Sequence, residues 1–508
     1  MIDPKSPVLI GISQHTWRDC DAGRTPTDAL EQVSRRAMLD SGVDDICQHI
    51  DCIASVRFIA DTNPAIAGLF PRNPGLEVAR RLSIPAPQLL AGPIGGNSPQ
   101  YIVNRLAERL HRGECSMALL QGAELFATFF AAMKLGDSLA HWADGETLPE
   151  ILGDGDRDGT SAAEKACGLY EPINTYPLFE NALQHGKKNS RSVHQQLLGE
   201  LSSRMSAVAA GNPHAWRQER YSADQISTVS DENRIIGFPY TKLMNAVLAV
   251  DMASAVLMTT AGKAIEIGID PSRLVYLRAG TDINEIWNIT EREDLTRSPG
   301  LGKAVRAVLD HADIALDSID RFDLYSCFPS AVQIACNEIG LSPFDERGVT
   351  VTGGLPFFGG PGNNYSLHAI AEMVRLIREG EARNGLVTAN GLYLTKHSVG
   401  VYSSSPQDGE WQAIDALPLQ NEVDSGPRVQ LSEDYQGEVV VETYTISFDR
   451  NGPKRGIVVA KTPSGLRAIA NIDDHITLQS LLDMDAVIGV KGRILTQGES
   501  RFFEIVTD

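Results

Sequence analysis

Cysteine is scarce in this 508-residue chain, with seven residues at Cys20, Cys47, Cys52, Cys115, Cys167, Cys327 and Cys336. They are too few and too scattered to staple so long a chain, which excludes a disulfide framework. Cys47 and Cys52 lack the second close pair that a zinc site needs, so buried structural thiols are expected and no metal site. Basic residues are also short: 45 Lys and Arg stand against 65 Asp and Glu, for a formal net charge of −20. A pI near 5.0 argues against a polyanion as the main partner, because phosphate backbones are held by clustered Lys and Arg. No apolar run approaches the 18 residues that a membrane span requires. The start, Met1-Ile2-Asp3-Pro4-Lys5, lacks the cationic stretch and apolar core of a signal peptide. A cytoplasmic location is therefore expected. What the chain does have is 43% hydrophobic and 22% charged residues, which excludes global disorder and suits several folded units.

Self-similarity is its most informative feature. DALEQVSRRAMLDSGVDDICQHIDCIASVRF, from Asp28, reads as helix, loop and apolar strand, and PGLGKAVRAVLDHADIALDSIDRFDLYSCFP, from Pro299, repeats that order. The next units match as well. NSPQYIVNRLAERLHRGECSMALLQGAE (97–124) and NNYSLHAIAEMVRLIREGEARNGLVTANG (363–391) each follow a Gly-rich turn, run as an amphipathic helix to Gly-Glu, and re-enter a buried strand. Alternating strands and helices imply crossovers and a largely parallel sheet, so two such halves predict a duplicated α/β scaffold. The halves divide as 1–124, with a return at 241–285, and 286–402.

Residues 125–240 interrupt this scaffold as a helical insertion carrying Lys187, Lys188, Arg191, Arg217 and Arg220. Long insertions on such scaffolds tend to carry ligand contacts. Residues 403–427, with Pro, Gly and acidic groups and no periodicity, read as a linker. From 428 to 508, five short strands with one helix before the fourth predict a small β-barrel of OB type. This region holds 9 Lys and Arg against 12 Asp and Glu, so docking is expected of it in preference to nucleic-acid binding.

Together these features resemble the thiolase superfamily, specifically the sterol-carrier-protein-type thiolases and the thiolase-like proteins of type 1 with an additional C-terminal domain. The resemblance rests on the first strand Val8–Ile12, the element from Gly95 to Glu124, Asn212-Pro213-His214-Ala215-Trp216, and Gly353-Gly354 followed by Gly359-Gly360-Pro361. It implies layered α-β-α-β-α halves, a helical loop domain, and coenzyme A or an acyl-CoA as ligand or substrate, with no tightly bound cofactor. It also implies acyltransferase chemistry of the acetyl-CoA acetyltransferase kind in lipid, fatty-acid or sterol metabolism. Family members usually form homodimers, while the extra domain here leaves a monomer open.

The residue types depart from the family's machinery. The nucleophilic Cys position falls at Gly96, the His of the His-Asp-Cys-Phe stretch at Tyr325, the activating His at Gly360 and the acid/base Cys at Asn390. Acyl transfer needs a thiolate to be acylated and a second group to move a proton, and glycine does neither. Thiolase turnover is therefore not expected from these positions, although backbone donors at Gly95, Gly96, Gly359 and Gly360 can still receive a thioester. Cys327, His368 and His397 are the candidates for relocated groups; Lys187, Lys188, Arg191 and Arg217 are the candidates for the ligand's phosphates. Tyr325 and Tyr365 open an alternative, because thiolase-like retro-aldolases also lack the Cys and use tyrosines near a substrate hydroxyl. A noncatalytic CoA-binding scaffold is the third reading.

Overall fold

The computed structural model describes residues 3–145, 147–153, 155–498 and 500–506. Ten strands form one hydrogen-bonded sheet. They are β1 (Pro7–Trp17), β2 (Cys52–Ser55), β3 (Gln88–Ala91), β4 (Met117–Leu125), β5 (Glu150–Ile151), then, after two strands of another sheet, β8 (Asp251–Thr260), β9 (Val275–Asn284), β10 (Arg321–Asp323), β11 (Asn384–Gly391) and β12 (Lys396–Ser403). Their order is β10-β11-β12-β9-β1-β8-β4-β2-β3-β5. The predicted duplication is visible in it. In the first half, β2 runs parallel to β4 and β4 antiparallel to β8; in the second, β10 runs parallel to β11 and β11 antiparallel to β12. The halves meet where β1 pairs β9 through Val8 and Leu9, so β9, which pairs along its length with β12, lies with the second half and not with the first-half return expected at 241–285.

The helices Ser98–Arg112 and Tyr365–Arg378 pack on each other and on strands of both halves. The second buries Tyr365 to Val374 without interruption, while the first keeps Arg105, Glu108 and Arg109 partly exposed along one side. Pro26–Asp40 covers the first half from outside and Pro299–Ala312 the second, which completes five layers. Each central helix ends soon before a left-handed glycine, Gly113 (φ +73°) or Gly380 (φ +76°), as Gly-Glu in the sequence suggests.

The C-terminal strands are β13 (Gly437–Asp449), β14 (Gly452–Lys461), β15 (Arg467–Ile472), β16 (Lys491–Gln497) and β17 (Ser500–Ile505), with a helix at His475–Asp483 before β16. They close into a small barrel, as the turn spacing predicts. The insertion is not wholly helical: β6 (Ile235–Gly237) and β7 (Tyr240–Thr241) extend the barrel's sheet beyond β13, and β5 pairs with the outer edge of β3.

The expected linker is a packed strap. Trp411 is buried, its indole N–H donates to the Leu277 carbonyl at 2.9 Å, and the helix Leu417–Asp424 lies against Pro299–Ala312. One large aromatic finds a pocket there, and local composition does not register that. No helix among the described residues is long and apolar enough to cross a membrane, and none of their His, Cys, Asp and Glu groups could hold a metal ion.

Candidate functional site

The N-termini of the two central helices meet at the middle of the molecule. Asn363 takes the Gly95 amide on its Oδ1 (3.1 Å), and the Ser366 hydroxyl donates to the Gly96 carbonyl (3.0 Å). The amides of Gly95 and Gly360 are thus occupied, the latter by the Val247 carbonyl at 2.9 Å.

Gly96 is a glycine for steric reasons. A Cβ there would lie 2.0 Å from the Tyr325 hydroxyl oxygen and 2.6 Å from the Asn390 carbonyl. The phenol thus fills the space into which a side chain at 96 would project. Burial raises the Tyr325 phenol far above its usual range, which makes it a neutral donor and not a phenolate. Its ring meets that of Tyr365 edge-on at 5.4 Å. The Tyr365 hydroxyl donates to Asp323 Oδ1 (3.1 Å) and lies 2.6 Å from Thr352 Oγ1. Burial lifts Asp323 to about 6, against hydrogen bonds from the Val351 amide, Thr350 and Tyr365 that hold it down.

Cys327 is buried beside Tyr176 and Asn390. Burial pushes its thiol up to about 12, outweighing a hydrogen bond from Tyr176, so it stays protonated and unreactive at neutral pH. The Asn390 amide nitrogen donates to the Tyr176 hydroxyl (3.1 Å), while its Oδ1 is buried without a partner. Tyr176 stacks on Phe328, ring centres 4.6 Å apart.

The two histidines lie apart from this cluster. His368 points to β1, with Nδ1 3.1 Å from Gln14 Oε1. His397 lies across from Asn390 in register but turns to Ser298, whose hydroxyl binds Glu285. Burial lowers both to about 3, so each is a neutral structural imidazole. Gly96, Tyr325, Cys327 and Asn390 are therefore together, and His368 and His397 are elsewhere.

The basic candidates are dispersed. Lys187 donates to Gln333 Oε1 (2.7 Å). Arg191 grips the barrel through the Tyr444 hydroxyl (2.9 Å) and the carbonyls of Leu481 (2.8 Å) and Leu482. Lys188 lines a cavity of about 420 Å³ against Tyr444 and Asp485. Arg217 borders a separate cavity of about 710 Å³ with Tyr221, Gln225, Asn233 and Lys242, and with Asp224 and Glu232. Its Nη1 is buried without a partner, and burial lowers its pKa. The Trp216 and Arg217 amides donate to the carbonyls of Phe358 and Phe357 at 2.7 and 3.0 Å, tying this wall to the Gly359–Gly360 turn.

Sequence reasoning passed over Tyr176, Asp323, Glu124 and Lys396. Glu124, at the end of β4, is wholly buried under Gly362 with Oε2 unpartnered, and burial raises it to about 8. Lys396 lies opposite Gly391 on β12, and strand alternation in Lys396-His397-Ser398 would have put it and His397 on different faces.

A duplicated five-layer scaffold with two glycine-turned central helices meeting at one site defines a thiolase-like protein. The model of the thiolase-like protein type 1 additional C-terminal domain matches residues 418–499. The monomeric SCP2-thiolase like protein type 1 from Mycobacterium smegmatis is 31% identical with a TM-score of 0.84, each chain covered in full. The chain belongs to this SCP2-thiolase-like type 1 family. More distant likenesses share the fold. The Ltp2-ChsH2(DUF35) aldolase is 18% identical, with a TM-score of 0.59 over 80% of this chain and all of that one. An acetyl-CoA acetyltransferase from Syntrophomonas wolfei is 14% identical, with a TM-score of 0.55 over 80% of this chain and all of that one. No curated protein sequence matches the chain.

Proposed function

We propose that this protein binds a coenzyme A thioester, as a monomer, and does not cleave it by the cysteine route of thiolases. One observation carries the second half: the Tyr325 hydroxyl lies 2.0 Å from where a side chain at residue 96 would begin. The nucleophile's place is filled, not merely vacated, and loss of such a group costs factors on the order of 10⁴–10⁶ in turnover. Binding is supported by the cavity of about 710 Å³ that Arg217 and Lys242 line together. That volume suits a nucleotide-sized ligand. The monomer reading is supported by β5 covering the free edge of β3, and by the relative from Mycobacterium smegmatis being described as monomeric.

The test is calorimetric titration with CoA at low salt, beside an assay of acetoacetyl-CoA thiolysis. Binding that weakens about tenfold or more in Arg217→Ala/Lys242→Ala, with no thiolysis, is expected. Thiolysis by the wild-type chain would refute the reading.

The hydrogen-bonded Tyr365–Asp323 pair facing Tyr325 favours a second reading, a carbon–carbon lyase on a 3-hydroxyacyl-CoA. Asp323 would accept the hydroxyl proton through Tyr365, the C2–C3 bond would break, and Tyr325 would donate to the enolate oxygen. Release of an aldehyde or ketone, lost in Tyr325→Phe, is the outcome that selects it over the scaffold.

A further inference from the structure

Lys396 occupies a place that the acyl-transfer chemistry above leaves unused. Its side chain runs through a slot made by two glycines. A Cβ on Gly95 would lie 3.0 Å from Nζ, and a Cβ on Gly391 would lie 3.0 Å from Cε. Any larger residue at either position would close the slot. The amine therefore ends on the Gly95–Gly96 turn, where Nζ donates to the Ile94 carbonyl. Asn390, the neighbour of Gly391, packs its carbonyl on the other side of the same turn, toward Gly96. The residue remains partly exposed.

Its charged surroundings do not neutralise it through a direct ion pair. Asp156 Oδ2 accepts from Arg57 Nη1 at 2.6 Å and its Oδ1 from the Ile94 amide at 3.1 Å, while Arg57 Nε donates to Asp61 at 3.1 Å. Burial pushes the amine down to about 8; Asp156 opposes that shift and Arg57 adds to it. At neutral pH such an amine carries on the order of 10²-fold more free base than an ordinary lysine.

We propose that Lys396 is an acyl acceptor, its amine attacking the carbonyl of a thioester that reaches it from its exposed side. The C–N bond forms as the C–S bond breaks. The thiol leaves with the proton that the attacking nitrogen releases, and Nε-acyl-lysine remains. The inference rests on the thioester-binding reading, so its test includes a thioester without a nucleotide.

The full chain is incubated with S-acetyl-N-acetylcysteamine near neutral pH and near pH 9, and acetylation at each lysine is followed by peptide mass spectrometry. A parallel arm uses acetyl-CoA, with CoA binding measured calorimetrically. Lys396 is expected to react about tenfold faster than the exposed Lys134 and Lys454 near neutral pH, since weaker basicity returns part of the free-base advantage. That margin should shrink near pH 9. Labelling by the small thioester without CoA binding would retain the acyl acceptor and remove the CoA reading. Reaction of Lys396 no faster than Lys134 and Lys454, with CoA bound, would overturn the proposal and leave the CoA reading standing.

Discussion

At the scale of single residues, the contact between Gly96 and Tyr325 decides most. Gly96→Ala is expected to cost about 1–3 kcal/mol by overpacking. Most of that cost should vanish in a Tyr325→Ala background, where the phenol no longer fills the space. Thermal unfolding of the two single variants and the double variant measures this coupling. Glu124 gives a second expectation. Its folded value of about 8 lies above the ordinary 4.5, so the folded state keeps a proton that the unfolded chain releases. Its contribution is full below pH 4.5 and drains as pH rises toward 8. In Glu124→Gln that alkaline loss should be absent, seen as a flatter melting temperature between pH 5 and pH 8.5. The glycine at 96, the position that the family resemblance assigns to the nucleophile, was legible by counting back from Gly113. The filling of its space was not, because the phenol arrives from 229 positions away.

At the scale of elements, the barrel is held by two arginines that the sequence presents as ordinary basic residues. Arg467 is fully buried: it makes a two-pronged pair with Glu442 at 2.6 Å and donates to the carbonyls of Thr290 (3.1 Å), Arg292 and Glu293 (3.2 Å). Arg191 reaches from the insertion into the barrel, which accounts for a residue expected to meet phosphate. Arg191→Met should weaken this docking by roughly 1.5–3 kcal/mol, the usual worth of hydrogen bonds to a charged group. Hydrogen exchange would show this as faster exchange of β13 and of the helix His475–Asp483, with β4 and β8 unchanged. The barrel's strands and the paired βα units were legible because strand period and glycine turns are local signals. The strap and β5–β7 were not: strands of two or three residues have no period, and their pairing depends on partners far along the chain.

At the scale of the whole molecule, His368 and His397 contribute to the acid limit, beside His15 and His214, which burial also lowers. The first two stay neutral down to about pH 3 when folded, against an ordinary 6.5. The unfolded chain therefore takes up two more protons between those values, so stability is full above pH 6.5 and drains toward pH 3. Replacing both by Gln should make the acid slope of the unfolding midpoint shallower, followed by circular dichroism. The shared sheet has a historical consequence. Because β6 and β7 belong by sequence to the insertion and by hydrogen bonding to the barrel, neither part can be exchanged with a relative's gene segment without leaving an orphaned edge. Such a seam resists recombination, and the appended module is expected to descend with its loop as one inherited block.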